Sequence, residues 1–108
     1  MGKNNAGNMN GMIKQAQKMQ SEITKLQEDI ESREFTAAAG GGVVTVTMTG
    51  DKHVKSLVIN PEAVDPNDVE MLQDTIISAF NECVGNIESV SEEEMGAITG
   101  GVSFPGLF

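Results

Sequence analysis

Residues 12–33, MIKQAQKMQSEITKLQEDIESR, carry apolar side chains at Met12, Ala16, Met19, Ile23, Leu26 and Ile30. The spacings alternate between four and three, a heptad a/d seam narrower than the apolar stripe of an ordinary globular helix. The intervening Lys, Gln, Glu, Thr and Ser residues are mostly good helix formers that solvate well, so propensity and pattern agree on a helix. At 1.5 Å per residue this segment would run roughly 33 Å, about the width of a whole domain of this size. One end can sit on a small core; the rest has to project and meet another helix.

On the N-terminal side, Asn4–Gly11 is rich in Asn and Gly, which resist helix and offer little to bury, so residues 1–11 are expected to be a flexible lead-in. On the C-terminal side the period changes. Glu34–Ala39 is a short strand candidate, and Gly40-Gly41-Gly42 ends it or turns it. Val43–Thr49 is the clearest strand, with Val44, Val46 and Met48 alternating against Thr45, Thr47 and Thr49; one face is apolar and the other bears hydroxyls. Gly50-Asp51-Lys52 reads as a hairpin connection to His53–Ile59, and Asn60-Pro61 closes that third strand.

A second long helix comes next. Asp65 fits an N-cap, Pro66 the first helical position, and Asp68 and Glu70 the positive end of the macrodipole. Its apolar set is Val69, Leu72, Ile76, Phe80, Cys83, Ile87 and Val90, again spaced four and three from Ile76 onward. The helix is expected to reach about Met95, with Gly96 and Gly100-Gly101 stopping it. The prediction is one α+β domain over residues 12–95, a long N-terminal helix, a three-stranded antiparallel meander and a long C-terminal helix, with a Gly-rich tail over residues 96–108. Three strands cannot bury their own apolar face, two helix seams and Phe35 within 108 residues, so a homodimer, most simply twofold, is expected.

The net charge is −9, unevenly laid out. Residues 1–25 hold Lys3, Lys14, Lys18 and Lys25 against Glu22 alone; residues 26–108 hold Arg33, Lys52 and Lys55 against fifteen acids. The first part of the helix is a basic arm on an acidic body, and local charge matters more for a polyanionic partner than the total does. No run of eighteen apolar residues and no signal-like apolar stretch occurs, so a cytoplasmic protein without a membrane span is expected.

Little in the chain suggests catalysis. Gly40-Gly41-Gly42 precedes a strand instead of opening a helix, and there is no GKS or GKT, so it is not read as a phosphate loop. His53 is the sole histidine and Cys83 the sole cysteine, which leaves no Cys/His set for zinc and no Ser-His pair with a motif around it. Cys83 lies on a helical apolar face and reads as a small buried hydrophobe. Glu92, Glu93 and Glu94 lack the alternating oxygen-ligand pattern of a calcium loop and read as a solvated helical face. No enzyme activity, cofactor or small-molecule substrate is expected.

Five pieces in order resemble a known family. They are M-x-x-M-I-K-Q-A-Q-K-M-Q (Met9–Gln20), V-x-V-T-x-x-G (Val44–Gly50), I-x-P (Ile59–Pro61), D-x-x-x-L-x-D-x-I-x-x-A-F-N (Asp68–Asn81) and G-G-x-x-x-P-G-L-F (Gly100–Phe108). Together they resemble the YbaB/EbfC family of bacterial nucleoid-associated proteins over nearly the whole chain. The resemblance implies a homodimer with helices projecting like tweezer arms, duplex DNA as partner, a place in the nucleoid and a role in nucleoid organisation or gene expression. It also implies that DNA meets the projecting helices, which singles out Lys14 and Lys18, with Lys25 and Lys3 beside them. The second helix, with Glu82, Glu88, Glu92, Glu93 and Glu94, offers no lysine or arginine. Without Trp, Tyr or an Arg-rich reading helix, phosphate and shape contacts are expected over base-specific readout. The competing reading is that the lysines only solvate a coiled-coil helix and that the chain is an acidic helical adaptor for another protein.

Overall fold

The computed structural model describes residues 2–100, with side chains from Met9 onward. In order it contains helix α1 (Gly2–Ser32), strands β1 (Glu34–Ala39), β2 (Val44–Thr49) and β3 (Val54–Ile59), a single 3-10 turn (Pro61–Ala63) and helix α2 (Val69–Thr99). The strands form one antiparallel sheet in the order β1-β2-β3. The molecule is a rod measuring 80 × 20 × 18 Å, because two 31-residue helices are attached to a small sheet.

The sheet is the base. β2 is central, with Val44 paired to Ala39 and Ile59, and Val46 to Ala37 and Leu57. Val44, Val46 and Met48 are buried, while the threonines between them point to the open face, where Thr36 and Thr47 share a hydrogen bond at 3.1 Å. The period-2 reading of this strand therefore holds residue by residue. The β1–β2 turn contains Gly40, Gly41 and Gly42, all with positive φ, a conformation that a side chain would resist. The β2–β3 pairing slips between Thr47 and Met48, so Lys55 is left opposite no residue of β2 and reaches Glu34 at 2.9 Å.

α2 lies across β1 and β2. Ala79, Cys83 and Ile87 from this helix join Ala37, Val44, Val46 and Met48 in the buried core, with Phe35, Leu72, Ile76 and Phe80 packed at its margin. Cys83 is fully buried, as a small hydrophobe on that face would be; burial pushes its thiol pKa up, and its Sγ lies 3.4 Å from the Phe35 carbonyl. Further along, α2 runs beside α1 in the opposite direction, and Ile23, Ile30, Met95 and Thr99 are buried along the pair.

The helix ends differ from the sequence reading. α1 starts at Gly2, so the Asn/Gly-rich lead-in is helical backbone continuous with the seam. Asp68, not Asp65, caps α2: its Oδ1 accepts the Met71 N–H at 3.2 Å. Asp65 instead closes a local turn with the Asn67 N–H at 2.9 Å, the other common use of a short acidic side chain. α2 passes through Gly96 and ends at Thr99, because Met95 and Thr99 gain burial against α1 that outweighs the poor helix propensity of one glycine. Gly100, left-handed at φ 65°, is the actual stop.

Candidate nucleic-acid interface

The apolar seam of α1 fixes which way its lysines face. Ile23 and Ile30 are buried toward α2 and the sheet, and Met19 and Leu26 are half-buried on the same side. At about 100° per residue, Lys14, Lys18 and Lys25 fall within about 40° of one another and on the side of the helix away from that seam. All three are exposed. Lys3 belongs to the first turns of α1, and its side chain lies outside the described residues.

Charge separates the three. Lys25 has Glu22 three residues before it and Glu28 and Asp29 three and four after, so its field is offset by acids on its own face. Lys14 and Lys18 lie where the only acid within a turn is Glu22. Ile98, one residue from the end of α2, lines the same groove as Met12 and Met19, so α1 continues past α2 as a single helix for about ten residues, roughly 15 Å. The acids of α2 are kept lower on the rod. Glu94 is held by Arg33 and Glu88 by Lys52 at 3.4 Å, while Glu92 and Glu93 are exposed.

The base of α1 is fastened at two points. Arg33 donates from Nη1 to Glu94 at 2.6 Å, tying the end of α1 to α2, and from Nη2 to Asp29 of α1 itself at 2.5 Å. This charge-assisted pairing draws the Glu94 carboxyl below the usual range and raises the Arg33 guanidinium further. The Gly50 N–H donates to the Arg33 carbonyl at 2.9 Å, fixing the β2–β3 turn under the helix. A Cβ on Gly50 would lie 1.8 Å from the Ile30 carbonyl oxygen, so only glycine permits this approach. In the same turn the Thr49 hydroxyl donates to Asp51, which lowers the Asp51 pKa, with His53 Nδ1 at 2.9 Å adding to the effect. The arm leaves the sheet at a fixed angle.

Two features lay beyond the sequence reading. One is this fastening: Gly50 reads as turn punctuation, and nothing local reveals that a helix end presses on it. The other is an uncovered apolar surface. Because α2 crosses β1 and β2, the edge strand β3 keeps Val54 and Leu57 exposed on the α2 side of the sheet, while Val58, opposite Thr45, is exposed on the open face; Val69 and Ile77 are exposed in the first half of α2.

Comparison with known proteins shows the family of the chain. The YbaB/EbfC DNA-binding family model matches residues 5–102. A nucleoid-associated protein of Alkaliphilus metalliredigens is 51% identical over 107 residues, covering 99% of this chain and 94% of the relative. One from Clostridium acetobutylicum is 52% identical over 101 residues, covering 94% and 90%. Among solved structures, an uncharacterized protein from Helicobacter pylori superposes with a TM-score of 0.60 at 26% identity, covering 72% of this chain and 90% of that one. No helix among the described residues is long and apolar enough to cross a membrane. The chain belongs to the YbaB/EbfC DNA-binding family, a family of nucleoid-associated proteins and not of enzymes.

Proposed function

We propose that this protein binds duplex DNA in the nucleoid as a homodimer, through phosphate and shape contacts made by Lys14 and Lys18, with Lys25 and Lys3 in support. The observation that carries the reading is the lysine stripe on the exposed side of α1, ending on a tip that runs past the acid-bearing helix. Phosphate contacts suit these residues: lysine is a flexible point charge that tracks a backbone without reading bases.

The acidic remainder of the chain opposes binding but does not abolish it. At about 0.1 M salt the Debye length is about 10 Å, shorter than the distance from the arm tip to the sheet end of the rod, so the acids there are largely screened. Support for the dimer comes from the β3 edge. An edge strand with Val54 and Leu57 in water on one side of the sheet and Val58 on the other is an aggregation hazard unless a second copy covers it. A twofold dimer through this edge would hold two arms on one body and double the lysines offered to a duplex.

The test is duplex binding by fluorescence anisotropy for the native protein and for Lys14→Glu with Lys18→Glu, with the mass monitored by light scattering. The reading predicts binding by the native dimer and its loss in an intact dimeric variant. Equal binding by both overturns the lysine assignment, and no binding by either at low salt favours an acidic adaptor with a protein partner.

A further inference from the structure

The sulfur groups of this chain fall into two sets. Cys83 is shut inside the core, and burial holds its thiol above the ordinary pKa, so little of the thiolate that oxidants attack is present. The methionines divide by exposure. Met48 and Met95 are 2% and 1% exposed, whereas Met9, Met12 and Met71 are 63%, 70% and 65% exposed, and Met19 lies between. A thioether needs no deprotonation to react, so access decides which sulfurs an oxidant finds.

We propose that Met9, Met12 and Met71 are sites of reversible oxidation by peroxides, and that the fold carries their sulfoxides without damage. In the reaction the thioether sulfur attacks one oxygen of hydrogen peroxide. The S–O bond forms as the O–O bond breaks, the departing hydroxide takes the proton of the transferred oxygen, and water leaves. Sulfur loses two electrons and the peroxide gains them.

The residues that an oxidant can reach are also those whose sulfoxides the structure tolerates. A sulfoxide turns a flexible apolar side chain into a polar one. At Met48 the new oxygen would sit in the same core as Val44, Val46, Ala79 and Ile87, where a polar atom without a donor is costly. At Met95 it would fall in the buried contact between α1 and α2. At the three exposed positions it would stand in water. The local backbone does not rely on those side chains either: Met9 and Met12 lie within the continuous α1, and Met71, in the first turn of α2, has its N–H capped by Asp68. By the helical period, Met9 and Met12 lie at least about 120° around α1 from Lys14 and Lys18, so the added oxygens leave the lysine side unchanged. Exposure also admits the sulfoxide reductases that reverse the reaction, one for each epimer. This inference does not rest on DNA binding.

The experiment treats the native full chain with hydrogen peroxide and follows each methionine by peptide mass spectrometry, with circular dichroism on the same samples. Met9, Met12 and Met71 should each gain one oxygen at least about tenfold faster than Met48 and Met95. At the dose that completes the three, the thermal midpoint should stay within about 2 °C of the untreated protein. The two epimer-specific reductases with dithiothreitol should then remove the added oxygen from all three. Met9, Met12 or Met71 reacting as slowly as Met48 would show that position to be covered in solution and overturn the proposal. Oxidation of Met48 or Met95 in step with the exposed set, or melting of the protein once only the three are oxidised, would overturn it as well. A Met9→Leu, Met12→Leu, Met71→Leu chain separates the last two causes: it should melt as the native protein does and keep its midpoint at the same peroxide dose, and a fall there would place the damage in the core sulfurs and contradict the partition.

Discussion

Replacing Gly50 with alanine tests whether the arm is clamped to the sheet as described. The added Cβ would lie 1.8 Å from the Ile30 carbonyl oxygen and 2.6 Å from its carbon, both backbone atoms that no rotamer change can move. Relief requires the end of α1 and the β2–β3 turn to separate by more than an ångström, which breaks the Gly50 N–H bond to the Arg33 carbonyl. The lost hydrogen bond costs about 1 kcal/mol and the overpacking a further 1–3 kcal/mol, roughly 2–4 kcal/mol in all. For a domain of this size that lowers the thermal midpoint by roughly 10–25 °C, measured by circular dichroism at fixed protein concentration. Gly85→Ala is the control, because the same methyl in mid-helix meets nothing within 4 Å. There the better helix propensity of alanine should stabilise by about 0.5–1 kcal/mol. Opposite signs at the two glycines support the clamp. A Gly50→Ala protein melting within a degree or two of the native one would refute it.

Other perturbations probe other parts. Asp68→Ala removes the N-cap of α2 and should cost about 1 kcal/mol in urea denaturation, whereas Asp65→Ala should cost clearly less. Glu94 is bound to Arg33 and its folded-state pKa is depressed, so the stabilisation it gives is complete above the ordinary glutamate value and is lost as pH falls through the lower folded value. Urea midpoints measured from about pH 7 to about pH 3 should therefore drop more steeply for the native protein than for Glu94→Gln. Leu57→Glu puts a charge on the exposed β3 patch and should leave a folded monomer by light scattering; an unchanged dimer would move the interface elsewhere.

How far each element could be read from sequence depends on how local its signal is. Both long helices were legible because their seams repeat over several heptads, and β2 because its alternation is strict. Helix ends were less so. Asp65-Pro66 and Asp68 are both plausible starts by local chemistry, and only the position of Leu72 and Ile76 against the sheet decides between them. Gly96 and Gly100 are equally good stops by composition, and burial of Met95 and Thr99 against α1 selects the later one. The α1 seam likewise does not say where its partner helix runs out, so Met12 and Ile23 look alike in sequence although one is exposed and the other buried. The proposed lysines were singled out by charge placement together with the family resemblance, and the helical period puts Lys14, Lys18 and Lys25 on one side. The uncovered β3 edge was not, because it depends on the angle at which α2 crosses the sheet.

The lysine arm is tested most sharply by the salt dependence of duplex DNA affinity, measured by anisotropy on the native protein and on Lys14→Glu with Lys18→Glu. If the three described lysines of each protomer neutralise phosphates, a dimer engages about six, and log affinity should fall against log salt with a slope of about −5. Removing four of those contacts per dimer should flatten the slope by about 3 to 4 and weaken binding at every salt concentration. A variant with the native slope and affinity would rule the arm out, because the DNA would then be held by a surface other than α1.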